Sequence, residues 1–214
     1  MGIMENRILA PSLLSADFSD LAGAVKKINA SPAGALHFDV MDGSFVPEIS
    51  FGQVVLRSIR PFSALPFDVH LMTENPERQI ETFAECGADW ITFHYESAAS
   101  DSEALLKKIR ALGKKAGISI KPKTRVEEVQ NLLEFADIIL IMTVEPGFGG
   151  QRLIGECLEK VARLVKLREE LGLNYKISVD GGVNGQTLDE VLKSGVDIVV
   201  SGSAFFNGTL NWRN

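Results

Sequence analysis

The sequence predicts a closed (β/α)8 barrel. Three features point there: eight short apolar or β-branched runs, helically spaced segments between them, and glycines where those segments should stop. Strands alternating with helices favour a parallel sheet, and eight such units match a closed barrel better than an open doubly wound sheet. The length of 214 residues suits one barrel domain spanning 1–214.

The expected strands are Ile8–Leu13, Ala35–Asp39, Phe67–Leu71, Trp90–Tyr95, Ile118–Lys121, Ile138–Met142, Lys176–Asp180 and Ile198–Ser201. Helical spacing appears at Leu21, Val25 and Ile28, at Leu105, Ile109 and Leu112, at Val126, Val129 and Leu133, and at Leu158, Val161 and Val165. Asn75-Pro76 reads as an N-cap followed by proline at the first helical position, and Gly87, Gly113, Gly117, Gly172 and Gly195 read as helix stops.

Composition narrows the function. Apolar residues are 45% of the chain, and mean hydropathy is +0.10, so a sizeable core is expected rather than disorder. No apolar stretch is long enough for a bilayer span, and no signal region opens the chain. A net charge of −6 without a basic patch argues against nucleic acid. Cys86 and Cys157 lack CxxC spacing and read as buried or inert thiols of a cytoplasmic protein.

In a barrel, reactive groups sit at the C-terminal strand ends. The two-residue strand period puts His37, Asp39 and Met41 on one face of the second strand and Asp68, His70 and Met72 on one face of the third. Asp180 ends the seventh. His37, Asp39, His70 and Asp180 could therefore hold a divalent ion through imidazole nitrogen and carboxylate oxygen, leaving positions open for a substrate. His94, near Glu96, reads as a structural histidine bonded to a neighbour. Glycines crowd the loops after the last three strands, at Gly147-Phe148-Gly149-Gly150, Gly181-Gly182 and Gly202-Ser203. Their bare backbone amides suit an anion, so a phosphorylated substrate is expected. Neither a P-loop nor GxGxxG spacing is present. Met41, Met72 and Met142 each end an inward-facing run and could wall the reacting centre.

Six motifs in order resemble the ribulose-phosphate 3-epimerase family: Ala10-Pro11-Ser12, His37-Phe38-Asp39-Val40-Met41-Asp42-Gly43, Asp68-Val69-His70-Leu71-Met72, Val144-Glu145-Pro146-Gly147-Phe148-Gly149-Gly150-Gln151, Asp180-Gly181-Gly182 and Ser201-Gly202-Ser203-Ala204. The likeness runs from about residue 7 to residue 206. It implies a barrel enzyme interconverting D-ribulose 5-phosphate and D-xylulose 5-phosphate with one divalent ion. By position it makes His37, Asp39, His70 and Asp180 the metal ligands and Asp39 and Asp180 the paired acid and base. It makes Ser12, His70 and the three methionines substrate contacts and the glycine loops a phosphate cradle. Zinc or iron(II) is the expected ion, with manganese and cobalt also suited to these donors. The phosphorylated ketose is the expected partner, alongside further copies of the chain in a homo-oligomer.

The chain departs from the family in two places. Only ten residues follow Ala204, so the eighth outer helix is expected to be short or missing, exposing apolar surface around Phe205, Phe206 and Trp212. Arg152-Leu153 stands where an aromatic often follows the glutamine. The competing readings are a hexulose-phosphate epimerase with the same ligands, a sugar-phosphate decarboxylase of related fold, and a non-catalytic sugar-phosphate binding protein.

Overall fold

A computed structural model of the chain describes residues 7–212. Eight parallel strands, β1 (Ile8–Pro11), β2 (Leu36–Met41), β3 (Phe67–Met72), β4 (Trp90–His94), β5 (Lys115–Ile120), β6 (Ile138–Met142), β7 (Lys176–Asp180) and β8 (Ile198–Ser201), run in the order β1-β8-β7-β6-β5-β4-β3-β2. The seam between β1 and β2 is joined by a single parallel bridge, Ser12 to His37, so the ring is nearly closed. Around it lie α1 (Leu21–Asn29), α2 (Gln53–Ile59), α3 (Ile80–Glu85), α4 (Tyr95–Ala98), α5 (Ser102–Ala111), α6 (Cys157–Glu170), α7 (Leu188–Lys193) and α8 (Ser203–Phe206). No helix of the described residues is long and apolar enough to cross a membrane.

Strand periodicity decides the layers. Phe38, Val40, Val69, Leu71, Phe93, Ile139, Ile141, Ile177 and Val179 belong to the main core together with Val25, Ile28, Phe83, Leu106, Val161 and Val191 of the helices. Burial of each such side chain contributes roughly 1.5–3 kcal/mol. The alternate positions face the barrel axis, where Ala10, Ala35, Ile138, Ile198 and Val200 form a separate cluster and polar groups lie above it.

Three expectations are corrected. Gly117 stops no helix: it lies inside β5, which begins at Lys115, because a Cβ there would lie 2.0 Å from Thr92 Oγ1 on the neighbouring strand. The Val126 segment is a 3-10 run over Val126–Leu132, whose apolar residues recur every three positions and so share one face at three residues per turn. Asn75 makes no side-chain cap; Pro76–Arg78 is a 3-10 turn leading into α3. Gly87, Gly113, Gly172 and Gly195 do follow helices, all with positive φ.

Among the described residues the helix after β8 is the four-residue α8. Among its described residues the tail leaves no large apolar side chain exposed. Phe205, Phe206, Leu210 and Trp212 are partly buried and pack against the main core. Both cysteines are buried and free.

A repeated clamp ties the strand starts together. Asp89, Asp137 and Asp197 immediately precede β4, β6 and β8, and each carboxylate accepts the backbone N–H of the preceding strand, from Phe67 at 2.8 Å, Ala116 at 2.9 Å and Ile177 at 2.8 Å. Each also faces arginine: Asp89 meets Arg60 at 3.5 Å, Asp137 meets Arg110 at 3.2 Å, and Asp197 meets Arg168 at 2.6 Å and Arg7 at 3.6 Å. Asp197→Ala strands the Ile177 N–H and takes the carboxylate partner from Arg168 and Arg7, leaving Arg168 its bond to the Tyr175 carbonyl. A loss of about 1–3 kcal/mol is expected, seen as a thermal midpoint several degrees lower. An unchanged midpoint would show the clamp to be idle.

Candidate metal centre and active-site mouth

The barrel mouth collects the chemistry. Parallel register sets Asp39 beside His70, His37 beside Asp68, and Met41 beside Met72. Asp180 comes from β7, separated from β2 by β8 and β1 around the ring. One donor atom from each of His37, Asp39, His70 and Asp180 lies within 4.8 Å of the others. Both imidazoles and Asp39 are buried, whereas the Asp180 side chain keeps 16% exposure toward the cleft above.

Each histidine is anchored from behind. His37 Nδ1 lies 2.8 Å from Asp68 Oδ2 while its Nε2 faces Asp39 Oδ1 at 3.1 Å. His70 Nδ1 faces the same Asp39 oxygen at 3.0 Å, and its Nε2 lies 2.9 Å from His94 Nε2. Ser12 donates its hydroxyl to Asp39 Oδ2 at 2.5 Å and accepts from the Leu14 N–H. Ser50 donates to the Asp39 carbonyl at 2.6 Å, holding the end of β2.

Electrostatics follow from that packing. Burial works against a charged His37, but Asp39 and Asp68 outweigh it and hold its proton well above the ordinary histidine range. At Asp39 burial is likewise outweighed, by His37 and His70, and the carboxyl is depressed far below normal. Asp180 moves the other way, to about 6, through burial and then the Asp39 charge. Burial lowers His94 to about 4, keeping it neutral. Glu96 falls to about 2, because bonds from His94, Thr124 and the Lys121 N–H outweigh its burial. The proton on His37 sits between carboxylates, the position a cation would neutralise.

The residues fit a divalent ion. Two imidazoles and two carboxylates are a nitrogen and oxygen donor set suited to zinc or iron(II), and four such ligands leave room for substrate oxygens. Each imidazole has its remote nitrogen engaged, the arrangement that orients ligating histidines.

The cleft over this cluster is lined by Ser12, Asp39, Met41, Met72, Met142, Asp180 and the glycine loops at Gly147–Gly150, Gly181-Gly182 and Gly202-Ser203. Phe148 is 56% exposed at its rim. His70 lies beneath the lining rather than in it. Among the described residues no lysine or arginine lines the cleft. The backbone N–H groups of Gly182, Val183, Gly202 and Ser203 have no protein acceptor among the described residues. Gly182 has φ +70, and a Cβ there would lie 2.2 Å from the Leu153 amide nitrogen. Because that obstacle is backbone, Gly182→Ala is expected to cost about 1–3 kcal/mol, read as an earlier urea midpoint; an unchanged midpoint would show that the loops part freely.

Comparisons agree with the geometry. Residues 8–206 match the model of the ribulose-phosphate 3 epimerase family. The chain belongs to that family. It is therefore an isomerase of the epimerase type. It is 52% identical over 202 residues to the ribulose-phosphate 3-epimerase of Treponema pallidum (strain Nichols), covering 94% of this chain and 92% of that one. Identity to the Synechocystis sp. enzyme of the same name is 45%, covering 95% and 89%. Among solved structures, a D17N mutant of the Pyrococcus furiosus tryptophan synthase alpha-subunit superposes with a TM-score of 0.68 at 16% identity, covering 93% and 87%, a likeness of fold alone.

Several residues at or behind the barrel mouth of this epimerase carried no assigned role in the sequence. Asp68 shared a face with His70, a signal that was present. Asp42 accepts the N–H groups of Ser44, Phe45 and Glu74, locking the loops after β2 and β3. Glu96 had its place beside His94 as a signal, whereas Thr124 and Ser50 had no local signature.

Proposed function

We propose that this epimerase interconverts D-ribulose 5-phosphate and D-xylulose 5-phosphate by removing the C3 proton from one face and returning one to the other. The observation that carries the reading is the gathering of His37, Asp39, His70 and Asp180 within 4.8 Å at the cleft floor. Inversion beside a ketone needs an acid–base group on each face. Asp39 and Asp180, from strands three positions apart around the ring, supply the pair.

In one direction Asp39 takes the proton and Asp180 gives one; in reverse the roles exchange. The low Asp39 and raised Asp180 suit that division, since one carboxyl is ionised where the other holds its proton more tightly. A divalent ion held by His37, Asp39, His70 and Asp180 would supply Lewis-acid stabilisation of charge on neighbouring substrate oxygens. Ser12 fixes Asp39 by donating to its Oδ2. Met41, Met72 and Met142 wall the reacting carbons, and their thioethers are too weak as acceptors to compete for the proton. The free N–H groups of Gly182, Val183, Gly202 and Ser203, with the Gly147–Gly150 loop lining the same cleft, hold the phosphate through backbone amides.

The test offers D-ribulose 5-phosphate and D-allulose 6-phosphate side by side in deuterated water. Faster turnover of the pentulose with deuterium entering C3 is expected. Preference for the hexulose, release of carbon dioxide, or binding without C3 exchange would each replace the reading with a rival.

A further inference from the structure

Behind His70 runs a chain of side chains that the epimerase reaction does not itself require. His70 Nε2 meets His94 Nε2 at 2.9 Å, and His94 Nδ1 meets Glu96 Oε2 at 3.1 Å. The other Glu96 oxygen, Oε1, accepts two donors, the Lys121 N–H at 2.7 Å and the Thr124 hydroxyl at 2.5 Å. The loop carrying those donors is pinned by Lys160, whose ammonium donates to the carbonyls of Lys121, Pro122 and Thr124 at 3.0, 2.7 and 2.6 Å. His70 and His94 are fully buried, so water does not offer either ring a substitute partner.

Hydrogen-bond polarity fixes every proton along this chain. A carboxylate only accepts, so Glu96 requires the proton of His94 on Nδ1. That leaves a lone pair on His94 Nε2, which requires a proton on His70 Nε2. The lone pair of a neutral His70 is then on Nδ1, the atom that faces Asp39 and the other donors. His37 reaches the same state by a shorter route, with Asp68 accepting from Nδ1 and Nε2 facing the cluster.

We propose that Glu96 is a positioning residue which, acting through His94, sets the tautomer of His70 and so makes its Nδ1 available as a ligand. The inference rests on His70 being a metal ligand, and it adds a group outside the cleft to the machinery that prepares the site.

Glu96→Gln is the telling substitution because it changes almost no volume. The amide oxygen must take the Oε1 position, where two donors point, so the NH2 group turns toward His94. That demands a lone pair on His94 Nδ1, moves the His94 proton to Nε2, and pushes the His70 proton onto Nδ1, where it blocks coordination. Binding an ion then forces two donors together at His94 Nδ1.

The experiment measures zinc affinity of the whole protein by competition with a chelator, and records nitrogen-15 NMR of the imidazoles in zinc-loaded wild type. Expected are one zinc per chain, protons on His70 Nε2 and His94 Nδ1, and affinity roughly 10–100-fold weaker in Glu96→Gln. Equal affinity of variant and wild type, or a wild-type His94 protonated on Nε2, would overturn the proposal. Wild type that binds no zinc would instead remove the metal reading on which it rests. The wild-type spectrum decides the matter even if the variant fails to fold.

Discussion

Asp39→Asn and Asp180→Asn are each expected to lower kcat by at least about 10³-fold, within the 10²–10⁴-fold range of positioned acid–base groups and enlarged by the second role of these side chains. Each removes one of the four clustered donors and, on the proposed mechanism, one of the two proton-transferring carboxylates. The two should differ in kind. At position 39, Oδ1 faces His37 and His70 while Oδ2 accepts from Ser12, so an amide sets its NH2 either against the imidazoles or against the serine hydroxyl. Asp39→Asn should therefore also release the ion. Asp180 stands 3.8 Å from both imidazoles and makes no such short bonds, so its variant should hold the ion better while losing turnover. Metal analysis and a kcat measurement on the same samples check both statements. Full turnover in either variant would end the two-carboxylate assignment.

Chelation should abolish activity, and returning one ion per chain should restore it. Lewis-acid stabilisation of several kcal/mol corresponds to roughly 10²–10³-fold in rate, at about 1.4 kcal/mol per factor of ten. The buried carboxylates also predict a structural readout. Without a cation, Asp39 and Asp68 face His37 and His70 in a space closed to water, and burying unbalanced charge is costly. The stripped protein should melt earlier than the loaded one, by an amount that grows with free ion concentration as mass action requires. Activity undiminished after complete removal of metal would refute the ion's role.

Much of this was legible from one dimension. Three strands, Ile138–Met142, Lys176–Asp180 and Ile198–Ser201, have the bounds their β-branched content suggests. Alternation along Leu36–Met41 and Phe67–Met72 was enough to align His37 with Asp39 and Asp68 with His70, because the strand period of two is rigid. The errors have physical causes. Gly117 resembles a helix stop only until Thr92 on the adjacent strand is seen to need its space. Phe205, Phe206 and Trp212 looked exposed because a short tail has no periodicity to announce that it folds back.

The sequence by itself determined the barrel, the four donors and the glycine loops, since each depends on local period or on residue type at a strand end. Only the tertiary structure decided the rest: Ser12 on Asp39, Asp68 behind His37, and Thr124 on Glu96 on His94 on His70. Those bonds join residues up to 31 positions apart in the chain, and their partners are chosen by ring closure and register. The type of one residue says that it can accept a proton, but which proton it accepts is a property of the closed barrel.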